Sequence, residues 1–502
     1  MKKLTLALSM ILFALGTFAQ NTEFNSALRY SQNIYSGTAR FTGLGGAYTA
    51  LGGDISSISL NPAGLGVYNG SELVLTPSFQ FFQANTKTPV NTIDYKKEDF
   101  NYNLNFHNIG WVTSFKPTGD SRLTMNIALG YNQLNDYNSK SQANHFNSQQ
   151  SLMTSFVQNA NNVTGFRNDP DALFQSDLTF AHEYLAWQTY QLNYDSTANE
   201  WYSNVSDALV LTDTLGVVQR NIKETSGSLG EYFFSFAVNY AHKLYIGTTV
   251  GLQRINYEIT TTHRETERNK DILGFESLEF TEYENHSGTG FNVKLGAIYK
   301  PTDFLRIGAS IHTPTFFNIE YNWQNSMTSN FDIDGPYSSE SNSQNFKYRL
   351  NTPFRFNSGV AVISKKIGLF SVDYEMVNYG FMQLKNHRDN DVQFIAENDS
   401  IDKTFQVSHN LRLGGELKLD DFYVRLGYAF YQSPYKKEFD YSQSSTQIYS
   451  GGFGYRSKSF FIDFAYSRRM WQEKSPIFST ISNLTKSDFT QNKFILTAGL
   501  KF

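Results

Sequence analysis

Nine charged side chains stand among apolar neighbours in the second half of the chain: Lys294, Arg306, Arg355, Asp373, Glu375, Arg412, Glu416, Arg425 and Asp463. Such a set supports two kinds of chemistry. The cations Lys294, Arg306, Arg355, Arg412 and Arg425 can take a ligand carboxylate through charge-assisted hydrogen bonds. Alternatively they pair with acids and fasten two parts of the chain together, because a charge taken out of water has to be compensated. Ion pairing is the expectation, with Arg40 and Asp54 as partners from near the N-terminus. Catalysis has no comparable support. There is no cysteine, no His-Glu-x-x-His and no Gly-x-Ser-x-Gly; the nine histidines are scattered, and Asp332-Ile333-Asp334-Gly335 is only a fragment of a calcium loop. No catalytic residue, metal or cofactor is expected. A net charge of −4 without a basic run leaves no electrostatic footprint for nucleic acid.

The elements that carry these charges have a period of two. Phe460, Ile462, Phe464 and Tyr466 alternate with Asp463, Ala465 and Ser467, and Phe422 to Phe430 alternates with Arg425, Gly427 and Ala429. Leu411 to Leu419 and Phe370 to Met376 behave in the same way, with Arg412, Glu416, Lys418, Asp373 and Glu375 on the opposite face. Further runs lie near 354–363, 304–312, 290–299, 244–253, 232–241, 122–131, 107–115 and 72–82, with a weaker one at 448–455 and a terminal one from Lys493. The count is fourteen, each run close to the length that crosses a bilayer as a tilted strand. Aromatics at 16% nearly equal charged residues at 18%, while mean hydropathy is only −0.41, as expected of an all-β chain whose strands face lipid on one side and a polar interior on the other. The spacing therefore predicts a transmembrane antiparallel β-barrel of 14 strands over residues 71–502.

Connections alternate between short and long, the rule for outer-membrane barrels with short periplasmic turns. Short ones are 116–121, 241–243, 300–303, 364–368, 420 and 456–458; long ones are 83–106, 132–231, 254–289, 313–353, 379–408, 432–447 and 468–492. Beside the short turns the outward register carries Phe115, Tyr240, Tyr299, Phe370, Phe422, Tyr455, Phe460 and Phe502, an interfacial girdle. A secreted β-sandwich would also alternate, but has no reason to gather aromatics at one end of its outer face. Phe502 closes the belt and reads as a C-terminal assembly signal for the barrel-assembly machinery. His107 and His312 fall on inward registers, which argues against a lipase with its nucleophile outside.

Ahead of the first strand, residues 1–19 read as a signal peptide: Lys2 and Lys3, an apolar run from Leu4, then small residues at Thr17 and Ala19. Residues 20–70 are glycine-rich and short. Gly43-Leu44-Gly45-Gly46 follows no strand and lacks both the dinucleotide spacing and a Walker lysine. The physical reading is a compact plug inside the barrel, its glycines allowing close backbone approach and Asn61-Pro62 making a rigid corner.

Here the sequence resembles a known family. Ala39-Arg40, Gly43-Leu44-Gly45-Gly46-Ala47, Gly53-Asp54-Ile55-Ser56-Ser57 and Asn61-Pro62-Ala63-Gly64-Leu65 run in the order of the N-terminal hatch of the long-chain fatty acid transporter family, the FadL and TodX proteins. The resemblance implies a fourteen-stranded barrel with the hatch in its lumen. It also implies passive passage of a hydrophobic small-molecule ligand, fatty acids or aromatic compounds, across the outer membrane, with outer-membrane lipids and lipopolysaccharide around the barrel. In that family the exit is an inward kink in the third strand, whereas Arg122 to Tyr131 has no internal proline and glycine only at 130.

Two further readings concern the long loop 132–231. Asp169-Pro170 looks like a helix start, with Phe180, Tyr184 and Trp187 as a stripe that either captures ligand or packs against neighbouring loops. The long loops also suit a barrel that binds partners in a secretion or assembly complex. A haem receptor would need paired His or Tyr ligands, and none are evident.

Overall fold

Residues 20–502 are described by a computed structural model, apart from 91–92, 118–121, 148, 163–180, 212–214, 269–271, 273, 389–392, 440–442 and 477–483. The expected signal peptide, Asp169, Pro170 and Phe180 lie outside the described residues. Fourteen strands form the wall: β1 (Glu72–Val90), β2 (Ile93–Phe115), β3 (Leu123–Asp136), β4 (Val217–Tyr240), β5 (Leu244–Glu267), β6 (Ser277–Tyr299), β7 (Leu305–His312), β8 (Arg355–Ser364), β9 (Gly368–Asn378), β10 (Val407–Leu419), β11 (Phe422–Tyr431), β12 (Thr446–Arg456), β13 (Phe460–Pro476) and β14 (Leu484–Lys501). All neighbours are antiparallel, and β1 pairs with β14 from Glu72↔Lys501 to Lys87↔Lys486, so the sheet closes on itself. Closure satisfies every ladder within the wall, the condition for a sheet to cross hydrocarbon.

Period two sets which side chain faces where. In β10, Leu411 and Leu417 are exposed while Arg412 and Glu416 are buried; in β13, Phe460 and Ile462 face out while Phe461 and Asp463 face in. The girdle residues Phe115, Tyr240, Tyr299, Phe370, Phe422, Phe460 and Phe502 are all exposed at the short-turn end. Tyr455 is half-buried between Phe422 and Phe460, with ring centroids 5.3 and 5.9 Å away.

Several strands run well past the lengths read from the sequence. β2 has 23 residues and β4 and β5 have 24 each. Much of the expected loop 83–106 is ladder, since Gln83↔Phe100 continues to Val90↔Ile93. The ladder of 217–225 with Ser139–Asn147 and with β5 likewise takes up part of loop 132–231. Beyond the exposed apolar band neither face of a hairpin needs to be apolar, so ladder bonds persist where apolar alternation has stopped.

Two strands are broken and continue. β6 pairs with β7 over Lys294–Tyr299 and with Phe316–Asn330 over Ser277–Phe291. Gln344–Asn351 pairs with that extension as β8 pairs with β7. The breaks fall at Pro314 and Pro353, residues with no backbone donor for a ladder. Side chains bridge the gap: Thr315 N donates to Thr352 Oγ1 at 2.8 Å and Val293 N to Thr313 Oγ1 at 3.0 Å.

Candidate functional site

Between residues 37 and 68 the chain makes three short helical turns, each begun by a polar side chain. Thr38 Oγ1 accepts from Phe41 N (3.1 Å) ahead of Ala39–Gly43; Asp54 Oδ1 accepts from Ser56 N (3.0 Å) ahead of Ile55–Ser59; and Asn61 Oδ1 accepts from Ala63 N (3.0 Å) ahead of Pro62–Val67. Proline at the first helical position costs no hydrogen bond. These caps satisfy N–H groups that helix starts otherwise leave orphaned. That makes burial affordable in hydrogen bonds, and Ala39, Leu44, Ile55, Asn61, Ala63 and Leu65 are all 0% exposed.

The segment bonds to inward-facing groups around the wall. Ala39 N donates to Thr497 Oγ1 of β14 (2.7 Å), Thr49 N to Asp373 Oδ2 of β9 (2.7 Å) and Ser59 Oγ to Glu231 Oε2 of β4 (2.9 Å). Asn132 Nδ2 of β3 donates to Ser59 Oγ (2.7 Å), and Ser310 Oγ of β7 to the Leu60 carbonyl (2.6 Å). Asn61 is the joint of this arrangement: its Nδ2 donates to the carbonyls of Thr49 (2.7 Å) and of Ala297 in β6 (3.2 Å).

Glycines of the wall make room. A Cβ on Gly296 would lie 1.8 Å from Asn61 Oδ1, on Gly247 2.4 Å from the Pro62 carbonyl, on Gly308 2.2 Å from the Thr49 carbonyl and on Gly427 2.1 Å from Gly45 N. Gly45 itself has φ +62° and would set a Cβ 2.8 Å from Tyr428 N, so both sides of that contact exclude a side chain. Gly46 turns at φ +74°, whereas Gly43 has ordinary space, 3.5 Å to Arg425 Cβ. Gly64 packs against Ser57 and Gly52 of its own segment rather than against the wall, and Ala63 packs on Tyr245 and Ile298.

Charges lock the same interface. Glu416 of β10 accepts from Arg40 Nε and Nη2, both at 2.9 Å, and from Arg425 Nε at 2.6 Å; Arg425 Nη1 continues to Asp463 Oδ1 at 2.7 Å. Glu375 joins Arg355 (2.8 Å) to Arg412 (2.6 Å), and Lys294 Nζ lies 2.6 Å from Glu231 Oε2. Arg355 also donates to the Ser31 carbonyl and Arg306 to the Leu51 carbonyl. Four of the five cations singled out in the sequence therefore face acids. Arg40 is the partner expected from the N-terminal segment; Asp54 instead bonds Thr38 Oγ1 (2.6 Å) within it. Glu231 and the inward glycines escaped the sequence reading. Extending the period of β4 by one step from Tyr232 finds Glu231, and glycine recurring on inward registers is the signal for the rest.

At the long-loop end a second cluster stands apart. Helices Leu152–Asn162, Ala181–Gln188 and Asn204–Leu211 bury Met153, Phe156, Leu185, Trp201 and Val205 together with Phe275 and Phe280. Trp187 is half-buried against this cluster, 6.1 Å from the Tyr184 ring. Burial holds the Glu183 carboxyl above its ordinary value, although Asn159 Nδ2 donates to it at 3.1 Å. In β3 the pairing with β4 slips between Gln133 and Asn135, just past the run read as a strand; Leu134 is buried there and its carbonyl accepts from Ile34 N at 3.0 Å.

No protein-family profile matches this sequence, and no curated protein does. Solved structures do. A Pseudomonas aeruginosa FadL homologue is 13% identical, with 94% of this chain and 100% of that one covered and a TM-score of 0.52. The P. putida toluene transporter TodX is also 13% identical, covering 94% and 99% with a TM-score of 0.51. The chain has the fold of those barrels. The likeness is one of fold, spread over nearly the whole of each chain.

Proposed function

We propose that the protein is an outer-membrane channel for passive uptake of hydrophobic small molecules, long-chain fatty acids or aromatic compounds, with residues 20–70 as its plug and no enzymatic role. The observation that carries this reading is the interface just described. A segment capped at every turn meets wall glycines and buried acids on strands right around the barrel, which suits a stopper in a lumen. Short turns and girdle then face the periplasm, the long loops face lipopolysaccharide, and the removed signal peptide accounts for export. A plugged barrel excludes water-soluble solutes, so its cargo is of the kind that water-filled pores turn away. Tyr184 and Trp187, half-buried at the long-loop end, are the capture residues of this reading. Phe502, exposed on the outward face, is its assembly signal.

Two measurements test it. Protein purified in detergent and soaked with mixed fatty acids and aromatic hydrocarbons should retain some of them by native mass spectrometry. Reconstituted liposomes should take up the retained compound faster than empty ones. The absence of both retention and uptake would overturn the reading.

A further inference from the structure

On the outer face of β5, β6 and the strands that continue past Pro314, the apolar band gives way to charge along a line. The registers set five side chains side by side: Arg254 of β5 opposite Thr289 of β6, Thr289 opposite Asn318, Asn318 opposite Arg349, and Arg349 opposite Lys385 in the short strand Gln383–Asn386. Arg254, Thr289, Asn318 and Lys385 are exposed and Arg349 is half-buried. Two residues nearer the short turns, the same face carries Tyr232, Leu252, Phe291 and Phe316, all exposed, with the Phe291 and Phe316 rings 5.5 Å apart. Two residues the other way come Ser287, Glu320 and Lys347. An open groove of about 470 Å³ runs over these rows, with Tyr232, Leu252, Arg254, Glu320, Lys347 and His387 in its lining. Glu320 accepts from Asn345 Nδ2 at 2.6 Å, and Arg349 Nε donates to the Asn386 carbonyl at 2.9 Å. Among the described residues, Arg254, Arg349 and Lys385 form no ion pair with a carboxylate.

We propose that this row is a docking site for lipopolysaccharide, whose lipid anchor has a glucosamine disaccharide phosphorylated at both ends. The cations stand in two groups. Arg254 lies three strand steps from Arg349 and Lys385, about 14 Å at the spacing of paired strands. One phosphate goes to Arg254 and the other to Arg349 and Lys385, where guanidinium and ammonium give charge-assisted hydrogen bonds. Thr289 and Asn318 between them meet the sugars, and the acyl chains lie down the face of Leu252, Phe291 and Phe316. A phospholipid with a single phosphate reaches only one of the two groups. The height agrees: from Tyr299 of the girdle to Phe291 the alternate residues of β6 are Ala297, Leu295 and Val293. Eight residues of tilted strand rise about 21 Å, close to the apolar band of outer-membrane barrels. The cations therefore stand at the head groups of the leaflet on the long-loop side. The site rests on the outer-membrane placement, with the long loops outside, and on nothing about the cargo.

The test measures binding of bis-phosphorylated lipid A, and of the same lipid with both phosphates removed, to the full-length protein in non-ionic detergent. EDTA is present, so that no divalent cation bridges phosphate to a carboxylate. The wild type should prefer the phosphorylated lipid. R254Q should weaken its binding about fivefold and R254Q/R349Q/K385Q about a hundredfold, the scale of one and of three cations at a lipid surface. These side chains lie on the outer face, so heat-modifiable migration should stay normal. K243Q/K365Q/K366Q, which removes as many cations from the short-turn rim, should leave binding unchanged. Equal binding of both lipids by the wild type overturns the site. So does a preference unmoved by R254Q/R349Q/K385Q, or moved as far by the rim variant. Displacement of lipid A by equimolar phosphatidylglycerol would assign the row to phospholipid and overturn it too. Uptake into phospholipid liposomes reads the channel separately: it should be the same for R254Q/R349Q/K385Q and wild type, and its absence beside an intact lipid A preference would overturn the channel reading alone.

Discussion

Two regions pack against the strands of this barrel by opposite means. The segment around Asn61 buries Ile55, Ile58 and Leu65 against apolar side chains of the wall, and is fixed there by glycines that let backbone touch backbone and by Arg40 in an ion pair with Glu416. Helices Leu152–Asn162, Ala181–Gln188 and Asn204–Leu211 instead share an apolar core around Trp201 and Phe156, to which Val217, Leu278, Phe280 and Met327 of the strands also contribute. The first arrangement is specific and brittle, because each buried charge and each close approach has fixed partners at fixed distances. The second is tolerant, because apolar packing is non-directional.

Removing residues 20–68 altogether should separate the two most sharply. Single-channel conductance in planar bilayers should rise severalfold and sensitivity to detergent should increase, while the barrel still shows heat-modifiable migration. Unchanged conductance would mean that the segment lies outside the conducting path.

Glu416→Ala leaves Arg40 and Arg425 without the carboxylate they share, and breaking a buried pair in this way costs about 3–5 kcal/mol. A loss of unfolding free energy of that size, read as a lowered denaturation midpoint, is expected together with frequent open events in bilayers. Arg40→Ala should cost less, since Arg425 still compensates Glu416.

Replacing Asn61 and Pro62 by Ala removes one cap, about 1 kcal/mol, and the bonds from Asn61 Nδ2 to two carbonyls. Uptake should fall while assembly and gel migration stay normal. A double variant that fails to assemble would move the motif from plugging to barrel folding.

Trp187→Ala should be the mildest of the four. Its ring is half-buried at the edge of the upper cluster, so protease susceptibility of the long loop should rise without any change in conductance. A conductance change would show that the two ends are coupled and the comparison too simple.

Much of this could be read from the chain. Alternation placed Arg412, Glu416, Arg425 and Asp463 on one face, and the structure buries all four. Short connections marked one rim, and aromatics beside them marked the belt. Asn61-Pro62 was legible as turn chemistry because a cap acts over two or three residues, whereas Asp54, expected in an ion pair, caps Ile55–Ser59 instead. The polar hairpins beyond the apolar band were not, since no apolar face remains there to betray a strand. The segment's glycines were read as allowing close approach, yet Gly64 packs within the segment and the wall makes room of its own at Gly247 and Gly296.

The sequence alone therefore determined what depends on near neighbours: period, turn length, capping, and the sign of charge on each inward face. Tertiary structure decided what depends on strands far apart in the chain. That Arg40 meets Glu416, 376 positions away, rather than Asp373 or Asp463 follows from the stagger of strands around a closed wall. A glycine becomes indispensable only where another backbone arrives at van der Waals distance. Local patterns fix which face a residue occupies, but ion pairs and close contacts are set by the three-dimensional register that closure imposes.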